Sequence, residues 1–430
     1  MTVGDEYRRR LGQRREALIR HQTWSKNLST GRLLVVLAGA ALGWWNLWLL
    51  PPAVMAFAAL LVIHEKVERS VTFERRAIAY YERGIARIEG KWSGSGETGQ
   101  QFQDPLHPYA ADLDLFGTGS VFQLLNAART AAGEATLAKW LLQPGDRLAV
   151  LLRQAAVRDL EHRLDLREDV ALLGSDVRAG VHPESLVRWG EQPREQVSTA
   201  MRAVALVFAL STAVIGAGFL FQLWPGRTFI ICVLLQSVFA LVVRNRVLRI
   251  LASVNLPARD LGILSQLLRR FELETFQAER LIALKKLLDT EGILPSTQIA
   301  RLHRLLECND WGRNQMFAPI AKLLLWSTQS AFAIERWRRV SGPKLAIWIE
   351  AVGELEALGS LAGYTAEHSG DAFPELLDGG SPVVEGQGIA HPLLSASAVR
   401  NDVQLDANWQ LLLISGSNMS GKARCCGRWD

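Results

Sequence analysis

Two long apolar stretches constrain this chain more than any other feature of its sequence. The first, residues 33–63, carries no charge, and the second, residues 203–243, carries a single charge, Arg227, within the turn-like sequence Trp-Pro-Gly-Arg at 224–227. A helix needs about 20 predominantly apolar residues to cross the hydrocarbon core of a bilayer. Stretches of this kind exceed what an ordinary soluble core uses, so we predict a membrane protein.

The first stretch is interrupted at its centre by Trp-Trp-Asn at 44–46 and by Pro51 and Pro52. A single helix through the proline pair would lose backbone hydrogen bonds and kink. Each half is shorter than the roughly 20 residues of a full span. Two interpretations stay open: a tight helical hairpin that re-enters or thins the bilayer, and one long kinked span. The hairpin is favoured over both the kinked span and a buried helix pair in a soluble protein.

Charge at the ends of the apolar stretches predicts the topology. Residues 1–32 contain eight Lys and Arg against three acidic residues, and Arg244, Arg246 and Arg249 close the second stretch. Two hairpins return the chain to its starting side, and the positive-inside rule places that side in the cytoplasm. We therefore expect a multi-pass protein of a bacterial-type inner (plasma) membrane, with lipid as a partner and its soluble parts cytoplasmic. Four cysteines without zinc or disulfide spacing fit a reducing cytosol.

The remaining sequence is charged and has helical periodicity until about residue 370, where Gly and Pro become common. Short β-rich runs then follow at 383–384, 403–405 and 411–414, which are typical of the opening of an α/β domain. The predicted organisation is a basic cytoplasmic tail (1–32), a transmembrane hairpin (33–63), a first part of a helical core (64–201), a second transmembrane hairpin (202–243), a second part of the core (244–370) and an α/β segment (371–430).

The last β-rich run leads into a phosphate-binding pattern. Residues 411–414, Leu-Leu-Leu-Ile, suit a buried strand, and the sequence G-x-x-x-x-G-K follows it directly. Glycines let successive backbone N–H groups point at phosphate oxygens, and the lysine reaches the β- and γ-phosphates. The residues predicted to hold the phosphates of ATP are Gly416, Ser417, Asn418, Met419, Ser420, Gly421 and Lys422.

Ala423 stands where a P-loop carries the Ser or Thr hydroxyl that holds Mg²⁺. The residues after Lys422 also lack the apolar periodicity of the helix that ordinarily follows such a loop. Conjectured codons for Ser-Thr-Leu-Leu-Arg-Thr-Val-Gly, with their first base deleted, translate to residues 423–429, and the two bases left over begin a codon for Asp or Glu, which fits Asp430. We therefore hypothesise a one-base frameshift after Lys422; a gene sequence that runs in frame through this codon would contradict it.

Three segments near the end of the chain resemble the MutS family of ATPases. The loop 415–422 is similar to that family's T-G-P-N-M-G-G-K-S, the segment 388–393 (Gly-Ile-Ala-His-Pro-Leu) to its G-R-H-P, and the segment 400–403 (Arg-Asn-Asp-Val) to its N-D-V. The helical part is similar too, notably Arg-Gln-Ala-Ala-Val at 153–157. The resemblance covers roughly residues 110–200 and 245–422.

That resemblance implies a mainly α fold: a MutS-like helical core, interrupted by two transmembrane helical hairpins and followed by the start of an α/β P-loop ATPase domain. It implies ATP as the ligand, with Mg²⁺ only in an intact form, and His391 and Asn401 at the nucleotide-facing edge. It further implies DNA as a partner and a homodimer for a full-length form. The basic tail and first hairpin occupy the place of the family's mismatch-reading domain, and the acidic Walker B strand of the family is absent from this sequence.

Four functional hypotheses follow. The first is a membrane-tethered, DNA-interacting ATPase of the mismatch-repair family, which hydrolyses ATP only when intact. The second is a membrane scaffold with nucleotide-switched interactions and no DNA binding, and the third is a non-functional, frameshifted fragment. A P-loop transporter subunit is a weaker fourth, since such ATPases lack this helical core. No residue can be assigned from the sequence as a catalytic base or as a metal ligand.

Overall fold

The computed structural model describes residues 2–413 apart from 47, 49, 174–182, 194, 255–257, 289–291, 313–317, 380–381 and 395–397. Over these residues the chain is mainly helical, which confirms the mainly α part of the predicted fold class. The only sheet formed within the described residues has two antiparallel strands, so no P-loop α/β domain is present in that part of the chain.

The elements follow in chain order. The helices are α1 Val3–Trp45, α2 Leu50–Ile88, α3 Val121–Leu125, α4 Ala131–Leu142, α5 Arg147–Glu161, α6 Leu164–Leu173, α7 Pro183–Glu191, α8 Thr199–Leu220, α9 Gly226–Ser253, α10 Ala258–Leu273, α11 Glu279–Leu288, α12 Pro295–Trp311, α13 Ala318–Leu323, α14 Trp326–Ser341 and α15 Leu345–Glu367. The strands are β1 Val384–Ile389 and β2 Asn401–Leu405. Short 3₁₀ turns lie at Gln100–Phe102 and Gly342–Lys344.

The chain divides into two compact units, each of which is assembled from separate stretches of sequence. The first unit contains Met1–Ala127, Leu137–Ser175 and Gly359–Asp430. The second contains Ala128–Thr136 and Asp176–Leu358. Each apolar stretch therefore belongs to a different unit.

In the first unit, the apolar stretch forms the tip of a long antiparallel helix pair, α1 and α2. Pro51 and Pro52 lie in the first turn of α2, where a missing N–H group costs no intrahelical hydrogen bond. The helices approach closely at the tip, since a Cβ placed on Gly43 would lie 2.5 Å from Leu50. The structure thus has a hairpin at this position and no continuous kinked helix.

At the opposite end of this pair, aromatic and charged side chains hold α1 and α2 together. The rings of Tyr7 and Tyr81 pack edge to face with their centroids 5.6 Å apart. The Tyr7 hydroxyl donates a hydrogen bond to the Glu367 carboxylate of α15 at 3.2 Å, and Arg87 of α2 forms an ion pair with the same carboxylate at 2.5 Å. The helix pair is thereby joined to the end of α15.

Arginines of the basic N-terminal segment take part in this packing. Arg10 and Arg14 of α1 lie 3.1 Å and 2.6 Å from the carboxylate oxygens of Glu168, whose side chain on α6 is only 5% exposed. A buried carboxylate needs such partners, because an uncompensated buried charge is strongly destabilising. Residues 3–32, predicted as a tail, are therefore part of a packed helix.

In the second unit, α8 and α9 form the second apolar hairpin. The ring of Trp224, in the connecting turn, packs against Gly218, and Phe219 stacks on Phe229 with the ring centroids 5.9 Å apart. Among the described residues, three helices are long and apolar enough to cross a membrane, namely α2, α8 and α9. The apolar end of α1, residues 33–45, is only about 20 Å long at 1.5 Å per residue.

The core of the second unit contains a buried carboxylate at a helix start. Glu356 of α15 accepts hydrogen bonds from the backbone N–H groups of Arg129 and Thr130, at 3.1 Å and 3.2 Å, and from the Thr130 hydroxyl. These groups precede α4, whose first N–H groups have no partner within the helix. Burial raises the pKa of Glu356 from its ordinary value of 4.5 to about 7, and the three hydrogen bonds oppose part of that rise.

This raised pKa makes stability depend on pH. Between pH 4.5 and 7 the folded protein holds a proton on Glu356 that the unfolded chain has released, so the free energy of unfolding falls as the pH rises through this window. We expect the stability of the wild type relative to Glu356→Gln to fall by about 1–3 kcal/mol from pH 5 to pH 8. The free energy of unfolding of both proteins is measured by urea unfolding in detergent micelles at each pH. Glu350→Gln, an exposed position of the same helix, is the control and should show no such trend; a pH-independent difference at 356 would contradict the assignment.

Candidate nucleotide-binding edge

The predicted phosphate-binding residues Gly416–Lys422 lie outside the described part of the chain. The segment leading to them is described as far as Leu413. Leu411 and Leu413 are 82% and 84% exposed and belong to no strand, so the prediction of a buried strand over 411–414 is wrong for these residues. A buried strand needs neighbours on both edges, and the described sheet has only β1 and β2.

A turn separates β2 from this exposed segment. The Asp406 carboxylate accepts hydrogen bonds from the backbone N–H groups of Asn408 and Trp409, at 2.7 Å and 2.9 Å. An aspartate that bonds the backbone two residues further on is typical of a turn. Because the turn ends the ladder at Leu405, the apolar residues after it have no strand to pair with among the described residues.

The two sequence segments that carry the resemblance upstream of the loop are brought together by β1 and β2. Ile389 pairs with Asn401 and Gly386 with Val403, and the register shifts between these two pairs. Gly388 lies inside that irregularity with φ +60°, a conformation that favours glycine, and its N–H group donates to the Asp402 carboxylate at 2.6 Å. Of the predicted β-rich runs, 403–405 lies entirely in β2, and 383–384 lies in β1 only at Val384.

His391 and Asn401 have different environments at this edge. His391 is 8% exposed, and its Nδ1 atom accepts a hydrogen bond from the Leu393 N–H group at 3.3 Å. Its carbonyl accepts a further bond from Leu394, so the residue organises a turn after β1. Asn401 is the exposed first residue of β2. Asn401 pairs with Ile389, two residues before His391, but His391 is buried and Asn401 is exposed.

A cavity of about 430 Å³ in the first unit reaches this region at Pro392. Its walls come from α4, α5 and the end of α15, and they are mostly apolar. The guanidinium of Arg153 lies 4.2 Å from the ring centroid of Trp140, and the amide of Gln154 donates to the carbonyl of Pro374 at 2.9 Å. Sequence reasoning missed this cavity, because its lining residues follow the same helical periodicity as core residues.

The polar groups of the cavity wall are engaged with one another. The Tyr364 hydroxyl donates to Asp371 at 2.6 Å, and burial together with this carboxylate raises the pKa of Tyr364. The imidazole of His368 stacks on the Tyr364 ring at 4.2 Å. The mostly apolar walls can hold an apolar ligand.

Comparisons with known proteins give no match: no family model matches the chain, and no significant match occurs among curated proteins or among solved structures.

The hydrogen bond from the Gly388 N–H group to Asp402 should slow hydrogen–deuterium exchange in β1. Asp402→Ala removes the acceptor of the Gly388 N–H group, and a hydrogen bond to a charged group contributes about 1.5–3 kcal/mol. We expect faster hydrogen–deuterium exchange in the peptide that covers β1, measured by mass spectrometry. Glu385→Ala, an exposed position of β1, is the matched control. Equal exchange in the two variants would contradict a role of Asp402 in holding the irregular strand.

Proposed function

We propose that this protein is a membrane-tethered, MutS-like ATP-binding protein whose phosphate site is the loop Gly416–Lys422. The observation that carries the proposal is the sequence of that loop, with Asn-Met between its first glycine and its Gly-Lys pair. Backbone N–H groups of such a loop surround phosphate oxygens, and the lysine adds a positive charge. The segments 388–393 and 400–403, which are similar in sequence to that family's, support the same relationship, and residues of both lie in the paired strands β1 and β2.

ATP hydrolysis belongs, in this proposal, to a form that carries a hydroxyl side chain directly after Lys422. The hydroxyl after the P-loop lysine holds Mg²⁺, which bridges the β- and γ-phosphates and neutralises the charge that develops in the reaction. The side chain of Ala423 is a methyl group, which cannot bind Mg²⁺. We therefore propose nucleotide binding through the backbone and Lys422, with little help from Mg²⁺.

Membrane tethering is the second part of the proposal. It is supported by α8 and α9, which leave large apolar side chains such as Leu206, Leu235 and Val242 more than half exposed. Contiguous exposed apolar surface of this extent marks contact with lipid or a partner. The arginines at the ends of both stretches support a cytoplasmic location for the soluble parts. DNA and a second copy of the chain are further partners that we propose on the family resemblance alone.

The nucleotide site is tested with a fluorescent ATP analogue and purified protein in lipid nanodiscs. Lys422→Ala should weaken binding by roughly tenfold or more, because a charge-assisted bond contributes about 1.5–3 kcal/mol. Lys286→Ala, at an exposed position of α11, is the control and should bind as the wild type does. Ala423→Ser should make the affinity depend on Mg²⁺. Unchanged binding by Lys422→Ala would contradict the proposed site.

A membrane scaffold without DNA binding is the second candidate. The observation in its favour concerns the basic segment 3–32, which is part of α1 and is packed through ion pairs with Glu168. Together with the first apolar stretch it occupies the place where the family has its mismatch-reading domain. Filter binding with a mismatched duplex separates the two candidates. A DNA-interacting protein should retain the duplex at low salt and lose it steeply as salt rises. No retention at 50 mM salt or below would favour the scaffold.

A further inference from the structure

A polar side chain lies in the middle of the second apolar hairpin. Gln236 of α9 is 3% exposed, within the uncharged run 228–243. Its Oε1 atom accepts a hydrogen bond from the Thr212 hydroxyl of α8 at 2.5 Å. Its Nε2 atom donates to the backbone carbonyls of Leu323 and Lys322, at 2.8 Å and 3.4 Å. The amide therefore joins α8 and α9 to the last residues of α13.

The carbonyl of Leu323 needs a donor, whereas the carbonyl of Lys322 also accepts a hydrogen bond from the Leu325 N–H group at 3.2 Å. The last four C=O groups of a helix have no partner within the helix, and α13 has only six residues. In water such groups are hydrated, whereas in hydrocarbon they must be satisfied by the protein. After α13 the chain turns at Leu325, with φ +50°, and so does not continue the helix. The side-chain amide of Gln236 carries two N–H bonds on one nitrogen and donates one of them to the Leu323 carbonyl at the end of α13.

The position of Gln236 along α9 sets the depth of this contact. Arg244 is eight residues further on, which corresponds to about 12 Å along a helix. The intervening turns expose Val238, Leu241 and Val242 by 60%, 67% and 78%. If α9 crosses a membrane, side chains this apolar and this exposed contact lipid. The end of α13 then lies deeper than they do, inside the hydrocarbon.

The free surface of α13 suits that location. Ile320 is 51% exposed, and Ala321 is buried against the rest of the unit. Lys322 is the one charged residue of the helix, and its four-carbon stem lets the ammonium group reach lipid headgroups.

We infer that α13 is a third membrane-inserted element, held against the second hairpin by Gln236, with Ile320 in contact with lipid acyl chains. It enters the bilayer part-way and does not cross it. The inference rests on the proposed membrane tether and adds a segment that hydropathy alone does not identify, since six residues are far fewer than the roughly 20 of a span.

Quenching by lipid tests the inference on the full chain. The four native cysteines are replaced by serine or alanine, and single cysteines are introduced by Ile320→Cys, Leu210→Cys and Leu273→Cys. Leu210 is an exposed residue of α8, and Leu273 is a 71% exposed residue at the end of α10 in the same unit. Each is labelled with bimane, and the protein is reconstituted into phosphatidylcholine–phosphatidylglycerol vesicles with plain or brominated acyl chains.

Quenching by brominated lipid at 210 and 320, without quenching at 273, is the expected result. Quenching at 210 but not at 320 would overturn the inference while leaving the tether intact, and would mean that water or a protein partner covers α13. No quenching at 210 would overturn the tether itself and the inference with it. Adding Gln236→Leu should reduce quenching at 320 and spare 210; unchanged quenching at 320 would refute the role of Gln236.

Discussion

Backbone polar groups have no water to bond in hydrocarbon, and both apolar stretches of the protein are built in a way that meets this constraint. Each stretch forms two helices joined by a tight turn, so nearly every N–H and C=O group is paired within its own helix. The prolines of the first stretch lie at the start of α2, where they remove no hydrogen bond. Close contacts at glycine, Gly43 in the first hairpin and Gly218 in the second, let the turns remain short.

Outside the apolar tips, ion pairs between buried carboxylates and arginines hold helices of the first unit together. Glu168 and Glu367 are buried carboxylates, and each is held by arginines from α1 or α2. Breaking one side of such a pair leaves a buried charge without compensation, which costs several kcal/mol, about 3–5. The arginines of α1 therefore have two roles. They give the N-terminal segment its positive charge, and two of them, Arg10 and Arg14, hold α1 against α6 within the first unit.

The sequence was informative where composition or periodicity alone decides structure. Uncharged runs broken by Pro51 and Pro52 or by the turn at 224–227 were enough to predict two helical hairpins, and the short β-rich runs predicted β1 and β2. The continuation of α1 through the basic segment was missed, because charged residues on a helix do not reveal which of them pack. The insertion of α13 was missed as well, since it depends on one amide, Gln236, and a contact 87 residues away in sequence.

At the candidate site, less could be predicted. Pairing of Ile389 with Asn401 depends on an irregular register around Gly388, which no local pattern encodes. The buried strand expected at 411–414 rested on composition, and an apolar run is buried only when neighbouring strands exist to cover it. Leu411 and Leu413 are exposed because the described sheet ends at β2.

One rule connects the isolated polar side chains in these units. Glu356 accepts from the N–H groups that precede α4, Asp402 accepts from the N–H group of Gly388 at a strand irregularity, and Gln236 donates to carbonyls at the end of α13. In each case a side chain satisfies backbone groups that regular structure leaves without partners. A glycine-rich loop before a helix presents several N–H groups of the same kind, and no side chain within Gly416–Lys422 carries a carboxylate to satisfy them. In the proposed phosphate site, an anion from outside the protein would be the acceptor, and Lys422 would favour one with the charge of a phosphate.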